Sequence, residues 1–407
     1  MDLICIMQGI ILHSLVSQLI RRDGMNKYDI NGDLIEEVSQ VEETEYYSLT
    51  RIKELKCQYN IIFGKRSNGK TYAVLYEGLK NYVEKGKQMA YLRRYREDFV
   101  GKRGQVLFNS LVSTGAVSQL TNGKWDTVKY MSSQWFLAKK STKDDGKVIT
   151  DSTPFCYGFS LGQMEHDKST SYPDVTMVVF DEFISRIGYI PNEFVMFMNV
   201  LSTIIRQRDD VRVYMLGNTV NKYCPYFAEM GLGHIEEMEP GKIDVYSYGD
   251  SKLRVAVERT INHNIEGRKS EVYFAFNNPN LEMITGGAWE LDLHPHLPRD
   301  YKDENVVYKF FICFNDQILQ CEVLEFDDCN FIYCHRKTTP IKHPDDDLIF
   351  SEEYDPRPNH IRNIRRTDNK VAMKIGSYFR NDNVYYQDND VGEVVRNYLM
   401  FCKSDTI

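Results

Sequence analysis

The run Gly64-Lys65-Arg66-Ser67-Asn68-Gly69-Lys70-Thr71 constrains this chain more than any other stretch. It fits the phosphate-loop pattern G-x-x-x-x-G-K-[ST] at every position and directly follows the apolar run Tyr59-Asn60-Ile61-Ile62-Phe63. Glycines let the backbone turn tightly, so that its N–H groups converge on an anion. The helix expected near Lys70 turns the positive end of its dipole toward the same point. Lys70 adds a point charge, and the Thr71 hydroxyl is placed to hold Mg²⁺. The competing reading is a glycine-bearing surface turn, which the flanking strand and helix disfavour.

The chain has 407 residues, enough for two or three domains. With 27 Tyr, 21 Phe and 27% charged residues it has the composition of a folded globular protein. A formal net charge of −8 excludes a uniformly basic coat, so any contact with DNA or RNA must be a local patch. Nine cysteines, an odd number with no C-x-x-C pair, read as reduced thiols of a cytosolic protein. Cys313, Cys321, Cys329 and Cys334, with His335 and His343 nearby, match no zinc spacing and read as core thiols. Leu3 to Ile20 is apolar but interrupted by Gln8, His13, Ser14, Ser17 and Gln18. It reads as an amphipathic helix, or as an over-long reading frame with the true start at Met25, rather than a signal or membrane anchor.

Strands alternate with helices from about residue 46, which predicts a mainly parallel sheet with its ligand at the strands' carboxyl ends. The expected strands are 59–63, 88–93, 175–180 and 211–216, and the expected helices 71–85 and 193–206. Residues 125–161 alternate polar and apolar around turns at Asp144-Asp145-Gly146 and Asp151-Ser152, suggesting antiparallel hairpins. The resulting division is an N-terminal extension (1–45), a nucleotide-binding domain (46–230), a connecting or lid segment (231–302) and a C-terminal domain (303–407). That last domain should open with a hairpin formed by 306–314 and 318–326. The stretch 356–380 carries Arg357, Arg362, Arg365, Arg366, Lys370, Lys374 and Arg380 against Asp368 alone.

Phe180-Asp181-Glu182 ends the most apolar expected strand and supplies what a phosphate loop lacks. Asp181 would complete the Mg²⁺ shell opposite Thr71, and Glu182 would polarise the water that attacks the γ-phosphate. A carboxylate in that place favours hydrolysis over transfer to a small acceptor. Asn218, in Leu216-Gly217-Asn218-Thr219, could sense the γ-phosphate, or could simply end a strand. Arg206, in Ile205-Arg206-Gln207-Arg208, is explained by the helix dipole alone; a guanidinium supplied to a neighbouring subunit's nucleotide is the alternative.

Taken together, the phosphate loop, Tyr91-Leu92-Arg93-Arg94-Tyr95, Ser171-Tyr172-Pro173-Asp174-Val175, Val179-Phe180-Asp181-Glu182-Phe183-Ile184, Tyr189-Ile190-Pro191-Asn192-Glu193 and Leu216-Gly217-Asn218 resemble the DNA-encapsidation ATPases of small tailed podophages, terminase-like packaging motors. The resemblance implies an ASCE-type P-loop NTPase fold followed by a smaller α+β domain resembling a degenerate RNase H-like nuclease. It implies an ATP- and Mg²⁺-dependent motor that drives double-stranded DNA through the portal of a prohead in the host cytoplasm. The motor would act as a homo-oligomeric ring, a pentamer in the family, in some members with a structural packaging RNA, and without a membrane. By position, Lys70 and Thr71 match the loop pair, Asp181 the magnesium ligand, Glu182 the catalytic carboxylate and Arg206 the trans-acting arginine finger. Lys168 falls at a basic residue of inter-subunit coupling and Asn218 at the coupling motif. The rival expectations are a large terminase with a working C-terminal nuclease and a nucleotide-binding assembly factor that does not hydrolyse ATP.

Overall fold

Short apolar runs between polar turns build the strands of a first sheet. The computed structural model describes residues 25–28, 34–37, 46–66, 68–140, 148–163, 170–185, 188–219, 223–235, 237–261, 294–297, 299–327 and 329–404. In chain order the first part comprises β1 (Met25–Tyr28), β2 (Leu34–Glu37), α1 (Thr50–Glu54), β3 (Tyr59–Gly64), α2 (Lys70–Lys85), β4 (Gln88–Arg93), α3 (Lys102–Val106), α4 (Asn109–Ser113) and α5 (Ala116–Leu120). It continues with β5 (Thr127–Met131), β6 (Gln134–Lys140), β7 (Val148–Thr150), β8 (Cys156–Ser160), β9 (Val175–Asp181), α6 (Glu193–Ile205), β10 (Arg212–Asn218), α7 (Pro225–Glu229), β11 (Ile243–Ser247) and β12 (Arg254–Arg259). The strand order is β2-β1-β11-β12-β3-β10-β9-β4-β8-β6-β5, with β7 against β6.

The central strands β12, β3, β10, β9, β4 and β8 run parallel. This is the mainly parallel P-loop sheet expected from sequence. Successive side chains of β3 alternate between two buried faces, as the two-residue period of a strand requires. Ile61 and Phe63 join Phe197, Val200 and Ile204 of α6 on one side; Ile62 joins Val74, Leu75 and Leu79 of α2 on the other. Burial on both faces explains why these strands read as unbroken apolar runs. The strand carrying Asp181 is not adjacent to the loop strand: β10 lies between them, so its end, Asn218, falls between loop and carboxylate.

The structure differs from expectation in two stretches. Within 125–161, β5, β7 and β8 each pair antiparallel with β6, as expected, but β8 also pairs parallel with β4. Cys156 and Phe159 of that strand are buried in opposite faces of the sheet, which suits an inner strand. Residues 243–259, expected in a connecting segment, supply β11 and β12, and the short run Val255-Ala256-Val257 pairs directly with β3. The Asp144-Asp145-Gly146 turn and residues 1–24 lie outside the described residues.

A second, mixed sheet contains β13 (Val306–Phe314), β14 (Gln317–Glu325), β15 (Asn330–Arg336), β16 (Ile349–Ser351), β17 (His360–Ile361) and β18 (Val384–Tyr386), with α8 (Lys370–Arg380) and α9 (Asn389–Ser404). Its order is β17-β16-β13-β14-β15-β18. The expected hairpin is β13–β14; Asn315 and Asp316 both take positive φ at its two-residue turn, the conformation that tight hairpins favour. Val391, Val394, Val395, Tyr398 and Cys402 form the buried stripe of α9 in the same core as Phe310, Ile312 and Phe350. The eight described cysteines are free, and Cys321, Cys334 and Cys402 sit in this core.

Candidate active site

The phosphate loop leaves the carboxyl end of β3 and enters α2 through Gly69, whose φ of 91° and ψ of 4° are left-handed and suit a residue without Cβ. Gly64 is required for another reason: at φ 153°, an added Cβ would collide with the Thr260 hydroxyl. The loop opens on a cavity of about 610 Å³ lined by Lys70, Thr71, Asp181, Glu182 and Asn218, among others. Lys70 is 6% exposed. Its Nζ donates to the carbonyls of Gly64 and Lys65, to Oδ1 of Asn68 at 3.1 Å and to Oδ1 of Asn218 at 3.4 Å. Burial pushes its pKa down to about 8, with Asp181 opposing. An ammonium held by four neutral oxygens in a polar cleft is ready to receive a charged one.

Across the cavity, Thr71 Oγ1 donates to Asp181 Oδ2 at 3.4 Å, and Tyr91 OH donates to the same oxygen at 2.7 Å. A hydroxyl and a carboxylate side by side are the hard oxygen donors that Mg²⁺ selects, so the residues present fit that ion. Burial raises the Asp181 pKa, while Arg93 at 3.8 Å and the Tyr91 hydroxyl pull it down.

Glu182 occupies the left-handed region at φ 59°, unusual for a residue with a long side chain. Arg94 secures that turn. Its Nη1 donates to the Glu182 carbonyl at 3.1 Å, its Nη2 to the Phe183 carbonyl at 2.8 Å, and Nε and Nη2 each bond the Glu193 carboxylate at 2.8 Å. Glu193 also accepts from Tyr226 OH and from the backbone N–H of Ile190. This fully satisfied, buried ion pair ties the Asp181-Glu182 turn to the start of α6. The Glu182 side chain is itself held by Arg93, Nη2 to Oε2 at 2.6 Å.

Structure thus brings together Gly64, Asn68, Gly69, Lys70, Thr71, Asp181, Glu182 and Asn218, with Lys65 and the exposed Arg66 on the loop itself. Ser67 and Lys168 lie outside the described residues. Arg206 is elsewhere. It caps the far end of α6 at φ 53° and donates from Nη2 to the Thr170 carbonyl, ahead of β9. The six residues of β9 before Asp181 separate that end from it, a distance of roughly 20 Å. Arg208 is engaged with the carbonyls of Tyr172, Pro173, Ile204 and Ile205.

No role was read from sequence for Tyr91, Arg93, Arg94 or Thr260. The first three stand in the Tyr91–Tyr95 run, where two adjacent arginines at a strand end were the available signal. Thr260 carried none. Beside the loop, a cavity of about 1120 Å³ is lined by Tyr46, Tyr47, Tyr72, Tyr76 and Gly69.

In the second sheet Glu322 is buried and bonded by Tyr301, Gln320 and Lys309, which hold its pKa below the usual range against the effect of burial. Asp345 pairs with Arg357. Among the described residues, no three His, Cys, Asp or Glu side chains are grouped as a metal cluster. Of the basic stretch, Arg362, Arg365, Arg366, Lys370, Lys374 and Arg380 are exposed.

Residues 133–246 match the model of the Podovirus DNA encapsidation protein (Gp16) family. That segment carries Asp181, Glu182, Arg206 and Asn218 and stops short of the phosphate loop, which stands on its own motif and geometry. The DNA packaging protein of Bacillus phage B103 is 30% identical over 176 residues, 42% of this chain and 48% of that protein. The DNA packaging protein of Bacillus phage PZA is 26% identical over 254 residues, 61% of this chain and 67% of that one. The first match therefore spans about half the relative's length. A chain of the bacteriophage Phi-29 viral genome packaging motor assembly has the same fold at 19% identity and a TM-score of 0.50, covering 87% of this chain and 97% of its own. In sequence the chain resembles the podovirus DNA encapsidation proteins, over a segment that includes Asp181, Glu182 and Asn218 of the cavity wall.

Proposed function

We propose that this protein is the ATPase subunit of a ring-shaped motor that drives double-stranded phage DNA into a prohead through its portal. The observation that carries the reading is the convergence of Lys70, Thr71, Asp181, Glu182 and Asn218 on one polar cavity at the carboxyl ends of β3, β9 and β10. Lys70 would exchange the Asn68 and Asn218 oxygens for phosphate oxygens. Thr71 and Asp181 would hold Mg²⁺, which when bound neutralises charge on the β- and γ-phosphates. Glu182 would orient and polarise the attacking water once released from Arg93. Tyr46 and Tyr72 offer aromatic surface for the base.

Arg206 would act on the nucleotide of an adjacent subunit, since it lies at the opposite end of the strands from its own loop. Hydrolysis would then depend on assembly of a ring, by resemblance a pentamer. The exposed cations of 356–380 would bind the backbone of DNA or of a structural RNA, or the portal. A C-terminal nuclease is disfavoured by the engagement of Glu322 with Tyr301, Gln320 and Lys309.

ATP-dependent protection of DNA inside proheads, comparing wild type with Lys70→Ala, tests the function. Wild type protects and the variant does not; equal protection by both would remove the phosphate loop from the mechanism. In mixed rings, Arg206→Ala should be rescued by a wild-type neighbour on one side only.

A further inference from the structure

Asn68 occupies a position the phosphate-loop pattern leaves open, yet it is 5% exposed and bonded at three of its polar groups. Its backbone carbonyl accepts from the Tyr47 N–H at 2.9 Å. Its side-chain amide nitrogen donates to Thr260 Oγ1 at 2.7 Å. Its Oδ1 accepts from Lys70 twice, from the backbone N–H at 3.3 Å and from Nζ at 3.1 Å.

The two outer partners are themselves fixed. Thr260, 5% exposed, donates its N–H to the Phe63 carbonyl at 2.8 Å, and its hydroxyl donates to the same oxygen at 3.3 Å. That leaves a lone pair of Oγ1 aimed at Asn68, in the space Gly64 provides by having no side chain. Tyr47 is held through its hydroxyl, which donates to Glu258 Oε2 at 2.7 Å on β12. A side-chain amide whose nitrogen is committed to an acceptor cannot flip, so its oxygen must face Lys70.

We propose that Thr260 and Tyr47, the latter anchored by Glu258, are positioning residues of the nucleotide site, fixing Asn68 so that its amide oxygen holds the Lys70 ammonium where a phosphate oxygen will replace it. The inference rests on the reading of this loop as an ATP site. A loop shaped before its ligand arrives avoids the cost of ordering on binding, so the brace acts on affinity. It leaves turnover alone, because Asp181 ends β9 and Glu182 follows it, across the cavity.

The test uses the full chain and measures the affinity of a non-hydrolysable ATP analogue beside steady-state ATP turnover. Thr260→Val keeps shape but loses the acceptor; Kd and KM are expected to rise about tenfold, with kcat within about twofold of wild type. Thr260→Ser restores the hydroxyl and should return Kd to within about twofold of wild type, a rescue that a packing role would not give. Tyr47→Phe cuts the anchor to Glu258 and should raise Kd severalfold, which carries the test if Thr260→Val does not fold. Unchanged Kd in these variants, with binding lost in Lys70→Ala, overturns the proposal and leaves the ATP reading intact. A fall in kcat equal to the rise in KM overturns it as well. If Lys70→Ala binds the analogue as wild type does, the ATP reading itself falls.

Discussion

Arg93 Nη2 and Glu182 Oε2 stand 2.6 Å apart, so the carboxylate proposed to polarise the attacking water is clamped by a guanidinium. Arg93 also lies 3.8 Å from Asp181. The pair is lopsided in exposure, 19% for the arginine side chain and 58% for the glutamate, so it is weak enough to exchange. A pair of that kind contributes roughly 0.2–1 kcal/mol. Arg93→Gln is therefore expected to raise basal ATP hydrolysis of the isolated chain about two- to fivefold. An unchanged or lower basal rate would show that Arg93 does not restrain Glu182.

Breaking the Arg94–Glu193 pair should act on stability first. Glu193→Ala strands a buried guanidinium and removes the acceptor for Tyr226 and Ile190 as well. The expected loss is about 3–5 kcal/mol, read as a lower urea midpoint. Because Arg94 also holds the Glu182 and Phe183 carbonyls, kcat should fall in whatever fraction remains folded.

Arg206 and Arg208, two residues apart, should separate cleanly. Arg208→Ala removes bonds to the carbonyls of Tyr172, Pro173, Ile204 and Ile205 and should cost about 1–3 kcal/mol of stability. Arg206→Ala removes one exposed bond to Thr170 and should stay within about 0.5 kcal/mol of wild type. Thermal melts of the two variants check this. The proposed function adds that only Arg206→Ala loses assembly-dependent hydrolysis while folding normally.

Glu258 gives a pH signature. It is 4% exposed, and burial raises its pKa to about 7, opposed by the Tyr47 hydroxyl and by Arg51 at 3.7 Å, the two groups that face it. With the folded value above the unfolded one, the native state holds the extra proton between about pH 4.5 and 7. Its stability contribution is therefore fully present below that window and is lost as pH rises through it. Glu258→Gln cannot ionise, so at pH 8 it should be more stable than wild type by up to about 3 kcal/mol, with the gap closing toward pH 5. Urea melts across that range measure it; a gap independent of pH would mean that Glu258 does not ionise in the folded protein.

Much of the site was legible because its parts are local. Gly64 to Thr71 is one strand-loop-helix unit, and Asp181-Glu182 ends a strand whose apolar run announces burial on both faces. Asn218 was legible only as a strand-end residue; that β10 inserts between β3 and β9, and so points Asn218 at Lys70, is a matter of strand order. Arg93 and Arg94 differ by one position and have opposite duties, one on the Glu182 carboxylate and one on its backbone. Arg93 ends β4 and Arg94 is the first residue past it, so the two side chains go to different places, and a sequence run does not say which carboxylates wait there.

By itself the sequence determined that the chain builds a phosphate loop and places a carboxylate pair at a strand end, because backbone turns, helix dipoles and strand periodicity act over a few residues. The tertiary structure alone decided what holds those parts. Thr260 reaches Asn68 across 192 positions of chain, Tyr47 meets Glu258 across 211, and the Arg94–Glu193 pair spans 99. Such contacts exist only once parallel pairing has brought β12 beside β3 and α6 beneath β9, and hydrogen bonds between residues so distant leave no local pattern to read.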